Sequence, residues 1–148
     1  MNIVTDHRPG LLRRLDGMWT ATGDVRGKPV RYHVSAGPAL QGRFTEISME
    51  DVEAPPRYEA RIFLGFDAET GTIIAHWMDC FGARFSVPHG SGSLGERAIE
   101  FVVPYESGAF KDRFEFDETG DTWTLEITAH QPDDSWAHFA GYTLRRAG

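Results

Sequence analysis

Apolar and polar residues alternate with a period of two along most of this chain, from Gly17 onward. In one such stretch Val30, Tyr32 and Val34 are separated by polar Arg31 and His33. This period is typical of β-strands that bury one face, and turn signals recur about every ten residues. The pattern predicts strands over 17–23, 30–34, 42–50, 58–66, 72–79, 83–88, 90–95, 97–103, 110–117, 122–130 and 135–145. Roughly ten short strands suit an all-β sandwich or barrel.

The start of the chain has a different pattern. Leu11, Leu12 and Leu15 are spaced as in one amphipathic turn of helix, which we predict before Gly17. Residues 1–10 are predicted to form a loose lead-in. No linker or block of like charge divides the rest, so residues 1–148 are predicted to be one domain.

The loop at 68–71 fixes which side chains of one hairpin face inward. If Gly71 takes the left-handed position that closes this loop, Asp67 pairs with Thr72. Trp77 and Asp79 then share the apolar face of the hairpin, and that face must be the inner one. His76 faces outward in the same register.

A second hairpin follows the same logic. A loop at 118–121 pairs Asp112 with Ile127, on an inner face that is otherwise apolar. If residues 131–134 form the next loop, Ile127 lies beside His138, although Pro132-Asp133-Asp134 permits other loop lengths. The same register would add to the inner face Trp136, Ala140, Tyr142 and Leu144.

Composition and charge narrow the class of protein. The formal net charge is −7, which disfavours binding to nucleic acid. Cys80 is the single cysteine, so there is no disulfide framework and no CxxC metal site, and we expect it to be buried. The first residues lack the apolar core of a signal peptide, and no stretch is long enough to span a membrane. We therefore expect a cytoplasmic protein with no nucleic-acid or membrane partner.

The two ends of the predicted sheet carry a recognisable pair of motifs. Gly17-Met18-Trp19 opens the first strand, and Tyr142-Thr-Leu-Arg-Arg146 closes the last. This resembles the calycin superfamily of lipocalins, fatty-acid-binding proteins and nitrobindins, in which such a tryptophan packs under an arginine of the final strand. The resemblance implies a single antiparallel up-and-down barrel, closed by Trp19 with either Arg145 or Arg146.

The middle of the chain extends the resemblance. The segments 42–46, 65–71 and 77–79 are similar to a group of uncharacterised bacterial lipocalin-like proteins. The combination implies a lipocalin-like barrel around a small pocket, and it says little about function. Nitrobindins hold haem through one histidine inside the barrel, which would make His138 the iron ligand. Their full C-terminal haem-ligand segment is not found here, so we predict no cofactor and keep haem as an alternative.

These observations predict a binding module for a small, partly apolar molecule. Aromatic Tyr32, Trp77 and Tyr142 would line the pocket, and Asp79, Asp112 and His138 would supply its polar contacts. An inward carboxylate can also be a wet rim position or half of an ion pair, and an inward histidine can be a hydrogen-bonded core residue. The aromatic side chains could also fill the barrel completely.

Two other kinds of function remain open. In an enzyme, Asp112 and His138 would act as acid and base on strands about 10 Å apart. In a structural protein, outward apolar residues such as Ile74 and Met78 would form the face of a homodimer. Neither reading includes a metal site, because His76 and His89 lack the spacing of metal ligands.

Overall fold

The computed structural model describes residues 5–147, which form ten β-strands, one short α-helix and one 3₁₀ helix. The α-helix, α1, spans Gly10–Arg13, and the 3₁₀ helix spans Ala83–Phe85. The strands are β1 (Gly17–Val25), β2 (Lys28–Ala39), β3 (Phe44–Asp51), β4 (Glu59–Asp67), β5 (Thr72–Asp79), β6 (Gly90–Leu94), β7 (Ala98–Tyr105), β8 (Gly108–Asp117), β9 (Thr122–His130) and β10 (Trp136–Arg146). No helix among these residues is long and apolar enough to cross a membrane.

The strands close into one barrel. Each strand is antiparallel to the next in sequence, and β10 pairs with β1. The all-β, up-and-down antiparallel barrel with a short N-terminal helical turn is thereby confirmed. The predicted strand at 83–88 is wrong, because the amides of Phe85 and Ser86 bond to Gly82 and Ala83 within their own turn and not to a neighbouring strand.

Two of the predicted hairpin registers are confirmed. Trp77 pairs with Ile62 and Asp79 with Ala60, and Gly71 has a φ of 70° with its amide bonded to the Asp67 carbonyl. In the second hairpin Asp112 pairs with Ile127 as predicted. These registers hold because a shift by one residue would expose the apolar face of each strand.

The third predicted register is wrong. Ile127 pairs with Ala140, and His138 pairs with Thr128 on the outer face. A β-bulge between His138 and Ala140 inserts Phe139, whose ring packs on Phe110 at a centroid distance of 4.7 Å. The extra residue reverses the alternation before it, so Trp136 lies outside as well, with its ring over the Lys111 ammonium group.

One end of the barrel, where α1 lies, is filled with apolar side chains and is called here the closed end. Leu12 and Leu15 are buried there, and the Trp19 indole donates a hydrogen bond to the Leu15 carbonyl over 2.7 Å. The Trp123 indole donates to the Arg14 carbonyl over 3.3 Å. The closed half of the barrel therefore has a packed core.

The arginine that closes this end is Arg146. Its guanidinium carbon lies 3.8 Å from the centre of the Trp19 ring, and Nη1 donates to the Asp16 carbonyl over 2.6 Å. Gly17 has a φ of 126°, and a Cβ there would collide with the Arg146 side chain. Arg145, the other candidate from the sequence, pairs with Thr20 and is exposed, because neighbouring residues of a strand face opposite sides.

The predicted lead-in is not loose over residues 5–10. Arg8 is buried, and its guanidinium donates hydrogen bonds to the carboxylates of Asp6 and Asp16 over 2.7–3.0 Å and to the Thr45 hydroxyl over 2.9 Å. These contacts bind the segment to the closed end of the barrel. Residues 1–4 lie outside the described part of the chain.

Candidate functional site

The other end of the barrel carries the polar residues that face inward, and it is called here the open end. It is the end at which β1, β3, β5, β7 and β9 finish, so the loops 26–27, 52–58, 80–89, 106–107 and 131–135 surround it. The inward side chains nearest these loops are more polar than those below them. We call this set the mouth cluster, and it consists of Tyr32, Tyr58, Trp77, Asp79, Tyr105, Asp112 and Tyr142.

Three members of the mouth cluster form a chain of hydrogen bonds. The Trp77 indole donates to the Tyr58 hydroxyl over 3.0 Å, and this hydroxyl donates to Asp79 Oδ2 over 2.9 Å. The second oxygen of Asp79 accepts the Phe81 amide over 3.1 Å. Burial, together with the Asp79 carboxylate, raises the pKa of Tyr58. Asp79 is therefore satisfied by protein groups and is available to a ligand only in part.

Tyrosine rings make up one wall of the mouth cluster. Tyr32 lies edge-on to Tyr142 at a centroid distance of 5.5 Å and is tilted against Tyr58 at 5.8 Å. Burial is the main reason that the pKa values of Tyr32 and Tyr142 are raised. These tyrosines remain protonated at neutral pH, so each can donate and accept a hydrogen bond.

Asp112 is the carboxylate with the least support. Asp112 is buried, with 4 % of the residue exposed. Its side chain forms no hydrogen bond or ion pair with any other of residues 5–147. Burial raises the pKa of Asp112 to about 8. No fully enclosed side-chain oxygen in the described chain lacks a partner, so the oxygens of Asp112 must border the small accessible space that remains.

Two tyrosines share that space with Asp112. The charge of the carboxylate contributes to the raised pKa of Tyr142, after burial and Tyr32, and to that of Tyr105, which is about 12 mainly because of burial. The Tyr105 ring packs edge-on against Phe110 at 5.6 Å. The free oxygens of Asp112 therefore face an aromatic environment at the open end.

A third carboxylate, Asp51, also faces inward at this end, since it pairs with Tyr32. It accepts hydrogen bonds from the Arg57 side chain over 2.9 Å and the Arg57 amide over 3.1 Å. Arg57 itself is 71 % exposed. Asp51 thus differs from Asp112 in having a cationic partner.

His138 does not belong to the site. Because of the bulge at Phe139 it lies outside the barrel, where Nε2 is 2.9 Å from Asp24 Oδ2. The hydrogen bond from His138 is the main cause that lowers the pKa of Asp24. The predicted inward pair of Asp112 and His138 is absent, and with it the geometric basis for acid and base chemistry by those two residues.

The outward position of His138 also bears on whether the barrel could hold haem. All six histidines of the chain are exposed, so none lies inside the barrel to bind iron. His76 and His89 lie outside with ring centroids 5.6 Å apart. Residues 5–147 contain no group of three or more histidine, cysteine or acidic side chains that could hold a metal ion. The residues present do not fit a histidine-bound haem within the barrel.

Sequence reasoning missed three residues of this end. Tyr58 lies an even number of residues from inward Ala60 and Ile62, and Tyr105 lies two residues from inward Val103. The alternation of each strand could therefore have shown that both tyrosines face inward. Asp51 lies one residue beyond the predicted third strand. Cys80, which we expected to be buried, is exposed in the loop after β5.

Comparison with known proteins agrees with the fold. No protein-family model matches the sequence, and no curated protein matches it. Solved structures do match, among them that of Rv2717c from M. tuberculosis, with a TM-score of 0.60 over 97 % of this chain and 100 % of that one. The two sequences are 16 % identical, a level that shows a shared fold alone. The barrel fits a calycin-like or lipocalin-like fold.

The mouth cluster combines titratable groups with aromatic walls. Burial raises the pKa values of its Asp112 carboxyl and of its tyrosine hydroxyls, which are set among aromatic rings. No histidine of the chain faces into it, and Cys80 is exposed in the loop after β5. Such a mixture of apolar walls with a few convergent polar groups is typical of small-molecule sites.

Proposed function

We propose that the protein binds a small, partly apolar molecule at the open end of the barrel, against the mouth cluster. The observation that carries this proposal is Asp112, a buried carboxyl group without a hydrogen-bond partner among residues 5–147. An unpaired buried carboxyl costs a protein several kcal/mol, which a bound ligand would offset in part. A purely structural core gains nothing from an aspartate at this position.

The surrounding side chains suit a ligand that is apolar over most of its surface. Tyr32, Tyr142 and Trp77 present ring faces and edges, and each is largely buried. Tyr and Trp combine a large apolar area with one polar atom, which favours ligands of mixed character. Asp79 and Tyr58 add a hydrogen-bonded edge to this surface.

Tyr32, Trp77, Asp112 and Tyr142 are at most 9 % exposed, so the ligand must be small or the mouth must widen. Phe81 packs on Tyr58 at a centroid distance of 5.7 Å, and it is 67 % exposed. It lies on the loop 80–89, whose Phe85 and Val87 are also exposed. Movement of this loop away from Tyr58 would open the site without disturbing the strands.

A plugged barrel tests the proposal. Ala129 faces inward near the open end, where it pairs with Phe110, so Ala129→Trp would fill the mouth. Met78→Trp is the control, because Met78 lies on the outer face of β5 and is exposed. Saturation-transfer NMR with benzyl alcohol as the probe reports weak binding of this kind. We expect transfer from the natural protein and from Met78→Trp, and its loss in Ala129→Trp. Equal transfer from all three proteins, or none from the natural one, would overturn the proposal.

A further inference from the structure

We propose that the molecule bound at the open end is a small organic cation, an amine or amidine on an apolar body, whose charged group pairs with the Asp112 carboxylate. This inference rests on the proposed function and adds the chemical class of the ligand. It starts from the fact that Asp112 offers two acceptor oxygens to the accessible space and has no hydrogen-bond donor among residues 5–147 to fill them.

The charges at the open end favour a cation. Asp51, Asp79 and Asp112 all face inward there. Within residues 5–147, Asp51 forms an ion pair with Arg57, and the other two form none. Arg57 is largely exposed and already bound to Asp51 by two hydrogen bonds. An anionic ligand would lie against the Asp79 carboxylate, which has no ion pair among residues 5–147, whereas a cation would be attracted to it and could pair with Asp112 once that group gives up its proton.

The aromatic residues favour a cation too. Ring faces carry partial negative charge, and cages of tyrosine and tryptophan bind ammonium groups in many proteins. Tyr32 contacts both Tyr58 and Tyr142, and Trp77 joins them through the Tyr58 hydroxyl. A cation bound at Asp112 would lie beside Tyr142 and Tyr105, whose hydroxyl oxygens can accept further hydrogen bonds.

The proton on Asp112 gives the inference a distinctive signature. Since burial raises the pKa of Asp112 to about 8, the empty site holds the proton at neutral pH, and a cation must displace it. The titratable groups near Asp112 on other strands are Tyr105 on β7 and Tyr142 on β10, whose pKa values its charge helps to raise. Lys111 and Arg113, its neighbours on β8, face outward. Binding of a cation therefore releases a proton below about pH 8 and strengthens as pH rises.

Three probes of one shape separate the possibilities. Benzamidine is a cation across the range from pH 6 to 8, benzamide is its neutral counterpart, and benzoate is its anionic one. Isothermal titration in two buffers of different ionisation enthalpy measures both affinity and proton release. We expect benzamidine to bind most tightly, with an affinity that rises about tenfold per pH unit between pH 6 and 8. Asp112→Asn is expected to weaken it by about tenfold or more while leaving benzamide unchanged, since the charged pair is lost.

The outcomes distinguish this inference from the proposed function. If benzamide or benzoate binds as tightly as benzamidine, or if benzamidine binds equally to Asp112→Asn, the cation is the wrong class, and the open-end site stands on the benzyl alcohol result. If benzamide binding strengthens as pH falls, Asp112 acts as a donor in its protonated form, and the inference is overturned. If Asp112→Asn does not fold, proton release and pH dependence in the natural protein decide the question alone. If neither these probes nor benzyl alcohol binds, both proposals fail.

Discussion

Asp112 is the residue at which stability and function oppose each other. Every other inward carboxylate at the open end has a partner: Asp51 has Arg57, and Asp79 has Tyr58 and the Phe81 amide. Asp112 has none among residues 5–147, and burial raises its pKa to about 8. A site kept for binding can retain such a residue at a cost in stability, because the ligand restores the missing interactions.

The effect of Asp112 on stability depends on pH in a defined direction. When burial raises the pKa of a carboxyl in the folded state, the unfolded chain loses that proton at a lower pH than the folded protein does. Between the two pKa values, ionisation stabilises the unfolded chain alone and lowers the free energy of unfolding. The free energy of unfolding therefore falls as pH rises from about 4 to about 8, by up to about 1.4 kcal/mol per pH unit, and is constant above that. We expect Asp112→Asn to be more stable than the natural protein at pH 8 by roughly 5 kcal/mol, since the amide does not ionise in either state.

Urea unfolding at pH 4, 6 and 8 measures this difference. The difference in unfolding free energy between Asp112→Asn and the natural protein is expected to be near zero at pH 4 and largest at pH 8. The exposed loop residue Glu118 provides the control, since Glu118→Gln changes the charge equally without touching the barrel. A stability gap between Asp112→Asn and the natural protein that does not depend on pH would contradict the account of this carboxyl.

At the scale of elements, strand β10 determines which side chains lie at each end of the barrel. Its bulge at Phe139 sends His138 outward at the open end, and its last residue, Arg146, caps Trp19 at the closed end. The two neighbouring arginines differ in function for a simple geometric reason: Arg146 has the parity of the inward residues Tyr142 and Leu144, and Arg145 does not. The guanidinium of Arg146 also bonds to Asp121 over 3.0 Å, which links β10 to the loop before β9.

The pair Arg145 and Arg146 therefore gives a matched test of barrel closure. Arg146→Lys keeps the charge but loses the flat group that stacks on Trp19 and the geometry of its hydrogen bonds. We expect it to lower the free energy of unfolding by about 1–2 kcal/mol, and Arg145→Lys to change it by less than about 0.5 kcal/mol. Thermal unfolding followed by tryptophan fluorescence measures both. Equal effects of the two substitutions would show that closure does not depend on this stacking.

The elements also show which features the sequence could predict. The registers at 68–71 and 118–121 followed from symmetrical loops between strands with one apolar face, because such strands have a single favourable alignment. The bulge at Phe139 could not be predicted in this way, since one additional residue leaves the apolar pattern of β10 intact on either side of it. That single residue decided the candidate site, because it moved His138 from the expected pocket to the surface.

Across the whole molecule, the barrel has a packed half and a half lined with polar and aromatic groups. The packed half contains Trp19, Trp123 and Phe114, with α1 beneath them, and the other half holds the mouth cluster. Periodicity predicted the barrel but not what closes it from below. Arg8 was missed because its partner Thr45 is 37 residues away in the chain, and nothing in a charged N-terminal segment indicates burial.

The N-terminal segment is expected to contribute to global stability through Arg8. Its guanidinium, buried between Asp6 and Asp16, lowers the pKa of Asp6 to about 2. The resulting stabilisation is present above about pH 4 and is lost as pH falls through about 2. Arg8→Met is expected to lower the free energy of unfolding by about 2 kcal/mol at pH 7, since it leaves the two carboxylates without their partner.

Acid titration of folded protein, followed by circular dichroism, checks this expectation. The gap between Arg8→Met and the natural protein is predicted to narrow between pH 4 and pH 2. Arg13→Met is the control, because Arg13 is exposed on α1. A variant at Arg8 that matches the Arg13 control at pH 7 would mean that the segment does not hold the closed end.

The central claim is that the open end of the barrel binds a small molecule, and mapping of amide chemical shifts tests it most directly. Nitrogen-15-labelled protein is titrated with benzyl alcohol, and the shifts are assigned along the chain. The account predicts saturable changes at Tyr32, Trp77, Asp112 and Tyr142 and in the loop 80–89, with little change around α1 and the loop 118–121. Changes confined to the closed end or the outer face, or none up to the solubility limit of the probe, would contradict it.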